Sequence, residues 1–186
     1  MRNLVVVEYV SLDGVIQAPG HPGEDRDGGF AHGGWTGGFM ADHRRYNSQL
    51  FPAAGAFLLG RRTYEIFAAY WPTVTDEGDQ IARALNSRPK YVVSTTLREA
   101  AWPGTTVLTG DVAGQVAKLK QEPGGPVLVI GSSQLARALL AHDLVDEYSY
   151  GCTRWYWAAA SGCSAATAGT VSIFGWWIAR RPAAAW

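Results

Sequence analysis

Residues that could bind phosphate follow three predicted strands of this 186-residue chain. The first group is the Gly60–Thr63 turn, where Arg61 and Arg62 stand beside a predicted helix start; the others are Ser94–Thr95 and Gly131–Leu135. Arginine side chains clasp phosphate oxygens bidentately, and a helix N-terminus adds backbone N–H donors. Because ligands of an open α/β sheet gather at the carboxyl ends of its strands, the three turns together predict a dinucleotide site.

Each of these turns also has an ordinary interpretation, as a strand–helix connection or as solvated arginines beside a capped helix. The Gly131–Ser133 turn lacks the spaced glycines of the Rossmann fingerprint, which weakens the hypothesis of a Rossmann-type NAD dehydrogenase. No Gly-Lys-Ser/Thr sequence occurs, so a Walker phosphate loop is excluded.

Asp13 is the candidate for acid–base chemistry. It follows the first predicted strand in the sequence Ser11-Leu12-Asp13-Gly14, where it could orient a substrate or relay a proton, or could simply cap the turn. The segment 11–38 is rich in Gly, Pro and Asp and is predicted to be a long loop, which is often functional. The four histidines show no metal-ligand spacing, so we expect no metal site.

The segments that must position these residues alternate along the chain between strand patterns and helix patterns. Strands are predicted at 4–10, 56–59, 90–94, 105–108 and 127–130, with another beginning near Leu144. Helices are predicted at 39–50, 63–70, 76–86, 112–121 and 134–141, the last of them capped by Ser132 or Ser133. This alternation predicts an α/β domain with a mainly parallel sheet.

The composition limits the kinds of molecule that we expect the chain to bind. The 16 Lys and Arg residues balance 16 Asp and Glu, which gives no electrostatic footprint for nucleic acid or an anionic membrane. No stretch is apolar for long enough to form a secretory signal or a membrane span, and both cysteines lie late in the chain. We therefore expect a cytoplasmic protein that acts on a small molecule.

Four segments in order resemble the dihydrofolate reductase-like family: Ser11–Ile16, Leu59–Tyr64, Tyr91–Ser94 and Val129–Leu135. The resemblance covers residues 1–148 and is closest to the reductase domain of the riboflavin-biosynthesis deaminase–reductase. It implies a mixed, mostly parallel sheet flanked by helices in three α/β/α layers. It also implies NADPH as cofactor and hydride transfer to a pteridine- or pyrimidine-like heterocycle, as in dihydrofolate or 5-amino-6-(5-phosphoribosylamino)uracil reduction.

The resemblance also implies roles for individual residues, and a homodimer is possible because relatives are often dimeric. The residues expected to hold NADPH are Gly60, Arg61, Arg62, Thr63, Ser94, Thr95, Gly131, Ser132, Ser133, Gln134 and Leu135. Those expected beside the nicotinamide and the substrate are Ser11, Asp13, Gly14 and Ile16, with Asp13 as the candidate catalytic residue.

Residues 149–186 depart from the family. All 16 acidic residues lie at or before Glu147, whereas five of the eight Trp lie in this tail. A shifted reading frame joins the last base of one codon to the first two bases of the next. In that frame the codons of Trp155, Tyr156, Trp157 and Ala158 must encode Val-Leu-Gly, which resembles a family strand. We interpret the tail as an out-of-frame replacement of the C-terminal strands, the alternative being a genuine Trp/Ala-rich extension that serves as an interaction or membrane-surface element. Without those strands we expect the sheet to end in an exposed edge. The alternative function is accordingly a non-catalytic nucleotide-binding remnant or an inactive frameshift product.

Overall fold

The structure is a computed structural model, and it describes residues 1–153 and 175–180. The strands in this part of the chain are β1 (Leu4–Ser11), β2 (Ala56–Gly60), β3 (Lys90–Val93), β4 (Thr105–Leu108), β5 (Val127–Ile130), β6 (Glu147–Thr153) and β7 (Gly175–Arg180). They form one sheet in the order β4-β3-β2-β5-β1-β6-β7. Strands β1 to β6 run parallel to their neighbours, and β7 runs antiparallel to β6.

Helices cover both faces of this sheet. They are α1 (Met40–Leu50), α2 (Arg61–Tyr70), α3 (Gln80–Ser87), α4 (Val112–Gln121) and α5 (Ser133–Ala141). Apolar side chains of α2 and α3 pack with Val5 and Val7 of β1 on one face, and those of α4 and α5 pack with Leu4 and Val6 on the other. The predicted three-layer α/β/α fold is confirmed.

The alternation of side chains along β1 decides which of them lie on each face of the sheet. Successive side chains of a strand point to opposite faces of its sheet. Glu8 therefore follows Leu4 and Val6 onto the face covered by α4 and α5, whereas Tyr9 follows Val5 and Val7 onto the other face. This placement puts a carboxyl group among side chains that are otherwise apolar.

Two predicted helix starts are wrong. The third helix begins at Gln80 rather than at residue 76, because the Asp79 carboxylate accepts hydrogen bonds from the Ile81 and Ala82 N–H groups and so caps it. The second helix begins at Arg61, two residues earlier than expected. Both differences depend on local backbone geometry that the spacing of apolar residues does not encode.

The expected exposed edge beside the strand near Leu144 is also wrong. That strand is β6, which pairs with β1 on one side and with β7 on the other, Glu147 lying opposite Arg180. Strand β6 also crosses the expected domain boundary between residues 148 and 149. Residues 155–158, whose codons give Val-Leu-Gly in the shifted frame, lie outside the residues that the structure describes.

Candidate functional site

The predicted phosphate turns share one edge of the sheet. β1, β5, β2 and β3 are adjacent parallel strands, so their carboxyl ends point the same way. Ser11, Gly60, Ser94 and Gly131 stand at or directly after those ends. The structure thus brings together four segments that are separated by up to 120 residues in sequence.

Ser132 joins the turn after β5 to the turn after β2 by hydrogen bonds. Its Oγ accepts a hydrogen bond from the Gly60 N–H at 2.8 Å and lies 2.8 Å from Thr63 Oγ1. Ser132 itself has a left-handed backbone, with φ of 64°. A Cβ on Gly60 would lie 2.8 Å from Ser132 Oγ, closer than real contacts allow. Glycine at position 60 is therefore required by the approach of the second turn.

The helices that start at these two turns have no side-chain cap. In the part of the chain that the structure describes, neither α2 nor α5 has a side-chain cap hydrogen bond at its N-terminus, so the prediction that Ser132 or Ser133 caps α5 is wrong. The Ser132 hydroxyl is used by the β2 turn instead. By contrast, α3 and α4 are capped by Asp79 and Asp111. The first-turn N–H groups of α2 and α5 can therefore receive an anion.

Carboxylates pair with both arginines of the first turn. Arg61 lies 2.9 Å from Glu65 on the same helix, whereas Arg62 lies 3.0 Å from Asp25 and 2.7 Å from Asp27 in the long loop. These arginines are about half exposed, and exposed ion pairs contribute little to stability. A phosphate group can therefore compete with them for either guanidinium.

The remaining predicted cofactor residues divide into structural and accessible ones. Ser94 is buried, and its Oγ accepts hydrogen bonds from the Thr96 and Leu97 N–H groups, which shapes the turn after β3. Leu135 belongs to the core beneath α5. Thr95 and Gln134 are exposed.

Ser11 organises the segment after β1. Its Oγ donates to Asp13 Oδ1 at 2.6 Å and accepts from the Val15 N–H at 2.8 Å. Gly14 has φ of 88°, a conformation that other residues rarely adopt. Asp13 is exposed. The turn that the sequence predicted is present, and it holds Asp13 as a hydrogen-bond acceptor at its surface.

A cavity of about 530 Å³ lies between this segment, β1, β6 and the outer side of α5. Three predicted residues line it: Gly14 and Ile16 from the expected substrate segment, and Ser133 from the expected pyrophosphate turn. Its other lining residues are Glu8, Val10, Ala136, Arg137, Leu140, Tyr148 and Tyr150. Gly60–Thr63 and Ser94–Thr95 lie outside its lining. The cavity therefore joins two of the four predicted segments in one concave surface.

Glu8 is the residue that the motif analysis missed. It is only 6% exposed, and within residues 1–153 and 175–180 its Oε1 has no hydrogen-bond partner. Burial, together with the nearby charge of Glu24, raises the pKa of Glu8 to about 8. The signal in the sequence is a carboxylate at an inward position of an apolar strand, in phase with Leu4 and Val6.

A second polar cluster joins α1 to the opposite face of β1. The His43 ring stacks on Tyr9 with 4.0 Å between centroids, and Asn47 donates to the Tyr9 hydroxyl. Burial lowers the pKa of His43 to about 4, so the imidazole is neutral at physiological pH. Tyr46 and the fully buried Ser149 of β6 share a hydrogen bond of 2.6 Å. These contacts fix α1 against β1 and β6.

The parallel sheet with its antiparallel edge strand and its helices on both faces defines a dihydrofolate reductase-like α/β fold. The chain belongs to the RibD C-terminal domain family, whose model matches residues 2–151. Membership implies a reductase-type role in riboflavin biosynthesis. The predicted family is confirmed.

A solved structure supports the fold independently. It is the crystal structure of a protein from Shewanella sp. PV-4, provisionally named as a riboflavin biosynthesis protein. The two chains are 21% identical, with a TM-score of 0.52 over 84% of this chain and 78% of that one. No curated protein matches the chain. No helix in the described part of the chain is long and apolar enough to cross a membrane.

Proposed function

We propose that the protein is an NADPH-dependent reductase that transfers a hydride to a small pteridine- or pyrimidine-like heterocycle. The observation that carries this proposal is the cavity in which Gly14 and Ile16 face Ser133 at the start of α5. This arrangement joins a helix N-terminus that suits a pyrophosphate to a pocket that can enclose a ring. The family's reductase-type role is in line with it.

The residues present fit a phosphorylated dinucleotide. The uncapped N-termini of α5 and α2 offer backbone donors, from Ser133 and Gln134 in one turn and from Arg62 and Thr63 in the other. Arg61 and Arg62 could take a 2′-phosphate in exchange for their exposed carboxylate partners, and Thr95 stands at the end of the neighbouring strand. Reduced nicotinamide supplies a hydride when it is bound. The chain contributes orientation, exclusion of water and a proton.

A thermal melt with and without 1 mM NADPH tests this function. A ligand that binds only the folded chain raises the melting temperature by mass action. We expect a cooperative melt that NADPH shifts upward more than NADH does, followed by NADPH oxidation when a panel of pterins and pyrimidines is added. Equal shifts with both cofactors would favour an NAD enzyme, and a cooperative melt without any shift would contradict the cofactor assignment.

Ser132→Ala sharpens the same assay. It removes the hydroxyl that joins the Gly60 and Gly131 turns, so the NADPH-induced shift should shrink. Ser87→Ala is the matched control, because its hydroxyl bonds only to the Arg83 carbonyl at an exposed helix end. Equal shifts in the two variants would argue against a cofactor site at the joined turns.

The second candidate is a non-catalytic nucleotide-binding remnant or an inactive frameshift product. The observation in its favour is that the family match stops at residue 151, close to the point where the acid-free tail begins. Sequencing the gene across codons 145–152 tests the frameshift, and an intact frame with tail peptides in native extract contradicts it. An NADPH-induced shift of the melt without turnover of any panel compound would support the remnant.

A further inference from the structure

Reduction of a C=N bond needs a proton as well as a hydride, and two carboxyl groups compete to supply it. Asp13 is exposed, and its Oδ1 already accepts a hydrogen bond from Ser11. Glu8 is nine-tenths buried, lines the cavity, and leaves Oε1 without a hydrogen bond. A proton donor must face the reacting atom and must not be exchanging its proton freely with bulk water. The geometry favours Glu8.

The surroundings of Glu8 suit a ring held against a carboxyl group. Tyr148 and Tyr150 of β6 stack on each other with an interplanar angle of 4° and form one wall of the cavity. Val10, Ile16 and Leu140 add apolar surface. Because the lining is mostly apolar, a single hydrogen bond from Glu8 would determine how a planar ligand is oriented.

We propose that Glu8 is the residue that gives the substrate its proton, an inference that rests on the proposed reductase function. The hydride, which reduced nicotinamide would supply on its oxidation to NADP⁺, would add to the carbon of the substrate C=N bond, and the π electrons would move to the nitrogen. That nitrogen takes the proton from the Glu8 carboxyl, which is left as a carboxylate. Water entering through the mouth of the cavity then returns a proton to Glu8, so that one hydride and one proton are consumed in each turnover.

The charges around Glu8 keep the proton available at neutral pH. Glu24 of the long loop adds a like charge, and burial raises the pKa of Glu8 to about 8. Tyr148 and Tyr150 face it from β6, and burial raises the pKa of both phenols, so neither adds charge at neutral pH. Arg137 of α5 lines the cavity and carries the opposite charge, but it is exposed. The donor form should therefore decline above pH 8.

Carbon-13 NMR of the full chain labelled at glutamate side-chain carboxyls tests the placement without any substrate. Glu8→Gln identifies the Glu8 signal by its disappearance, and Glu77→Gln, at an exposed position, is the matched control. We expect the Glu8 signal to titrate near pH 8. Saturating NADP⁺ should lower that midpoint by at least half a unit relative to NADPH, because only the oxidised nicotinamide ring is cationic.

The outcomes separate this inference from the proposed function. If NADP⁺ shifts the thermal melt but leaves the Glu8 midpoint where NADPH leaves it, Glu8 does not lie beside the ring and the inference fails alone. If neither nucleotide shifts the melt, the proposed function fails and takes the inference with it. A midpoint near 4.5 in the free protein also overturns the proposal.

Kinetics with the compound that the panel identifies gives a second readout. Glu8→Gln should lower kcat by about 100-fold with little change in KM for NADPH, and should remove the decline in rate above pH 8. Asp13→Asn should keep that decline whatever its effect on rate. A Glu8→Gln enzyme that retains both the rate and the alkaline decline refutes the proton-donor role.

Discussion

Glu8 and Asp79 are equally inaccessible carboxyl groups with opposite surroundings. Glu8 is 6% exposed and Asp79 is 7% exposed. The Asp79 carboxylate accepts hydrogen bonds from the Ile81 and Ala82 N–H groups, and Arg44 lies 2.6 Å from its second oxygen. Glu8 faces a cavity and leaves Oε1 unbonded. The Asp79 carboxylate completes its hydrogen bonds within the fold, whereas the Glu8 carboxyl has one oxygen without a partner among the described residues.

At Asp79, hydrogen-bond and ion-pair partners outweigh the effect of burial on the charge of the carboxyl group. Burial pushes the pKa of Asp79 upward, but the hydrogen bond from Ala82 and the contact with Arg44 pull it below the usual range. At Glu8 nothing opposes burial, and the pKa rises to about 8. A satisfied carboxylate stabilises the fold, whereas an unsatisfied buried one lowers its stability.

The largest expected effect is on the pH dependence of stability at Glu8. Between pH 4.5 and 8 the folded chain holds a proton that the unfolded chain has released, so the free energy of unfolding falls as pH rises and levels off above 8. Glu8→Gln lacks this loss and should be more stable than the parent by roughly 3–5 kcal/mol at pH 9. Urea unfolding from pH 4 to 9 measures the difference, with Glu77→Gln as control. A constant difference across that range would show that Glu8 titrates normally.

The opposite sign is expected at Asp79. Asp79→Ala removes the helix cap and the partner of Arg44, which should lower the free energy of unfolding by about 2–3 kcal/mol at pH 7. Because the folded pKa is depressed, this contribution is present above pH 4 and should fade as pH falls through the folded value. Asp111→Ala, at the exposed cap of α4, should cost less, about 1 kcal/mol. Equal losses in the two variants would mean that burial adds nothing to the Asp79 cap.

A third, smaller effect concerns Ser132, whose hydroxyl is satisfied by both turns of the site. Gly60→Ala should lower stability by about 1–2 kcal/mol because the new Cβ meets Ser132 Oγ. Adding Ser132→Ala should relieve part of that loss, which a double-mutant cycle of thermal melts measures. Gly37→Ala is the control, since a Cβ there meets nothing within 4 Å. If the stability changes of the two single variants simply add in the double variant, the new Cβ at position 60 does not clash with Ser132.

The smallest effect on stability is expected at Arg62, whose ion pairs with Asp25 and Asp27 are exposed. Arg62→Ala should leave the free energy of unfolding nearly unchanged, because exposed ion pairs are screened by solvent. The dissociation constant for NADPH should nevertheless rise by about tenfold, with that for NADH nearly unchanged, because only NADPH carries the extra phosphate. Arg83→Ala, on exposed helix surface, should alter neither constant. Parallel weakening of both cofactors would remove Arg62 from phosphate recognition.

Sequence pattern predicted most elements because it reflects local forces. The continuous apolar run Val127–Ile130 became the fully buried β5, and Val112–Gln121 became α4 with the predicted bounds. The Gly60–Thr63 and Gly131–Leu135 turns were found because glycine and hydroxyl residues directly after an apolar run are typical of a turn. The start of α3 was misplaced because only the backbone shows which of Asp76 and Asp79 caps it.

The sequence by itself determined the alternation of strands and helices, the turns that follow the strands and the family, since each depends on short contiguous segments. Tertiary structure alone decided that Ser132 serves the turn of another strand, that Arg62 pairs with the long loop, and that Glu8 faces a cavity beside Tyr148 and Tyr150. Those facts depend on strand order and on the face of the sheet each side chain occupies. These hydrogen bonds and ion pairs join residues that are distant in the chain, and although the local pattern places Glu8 on an inward face, it does not show which residues surround it.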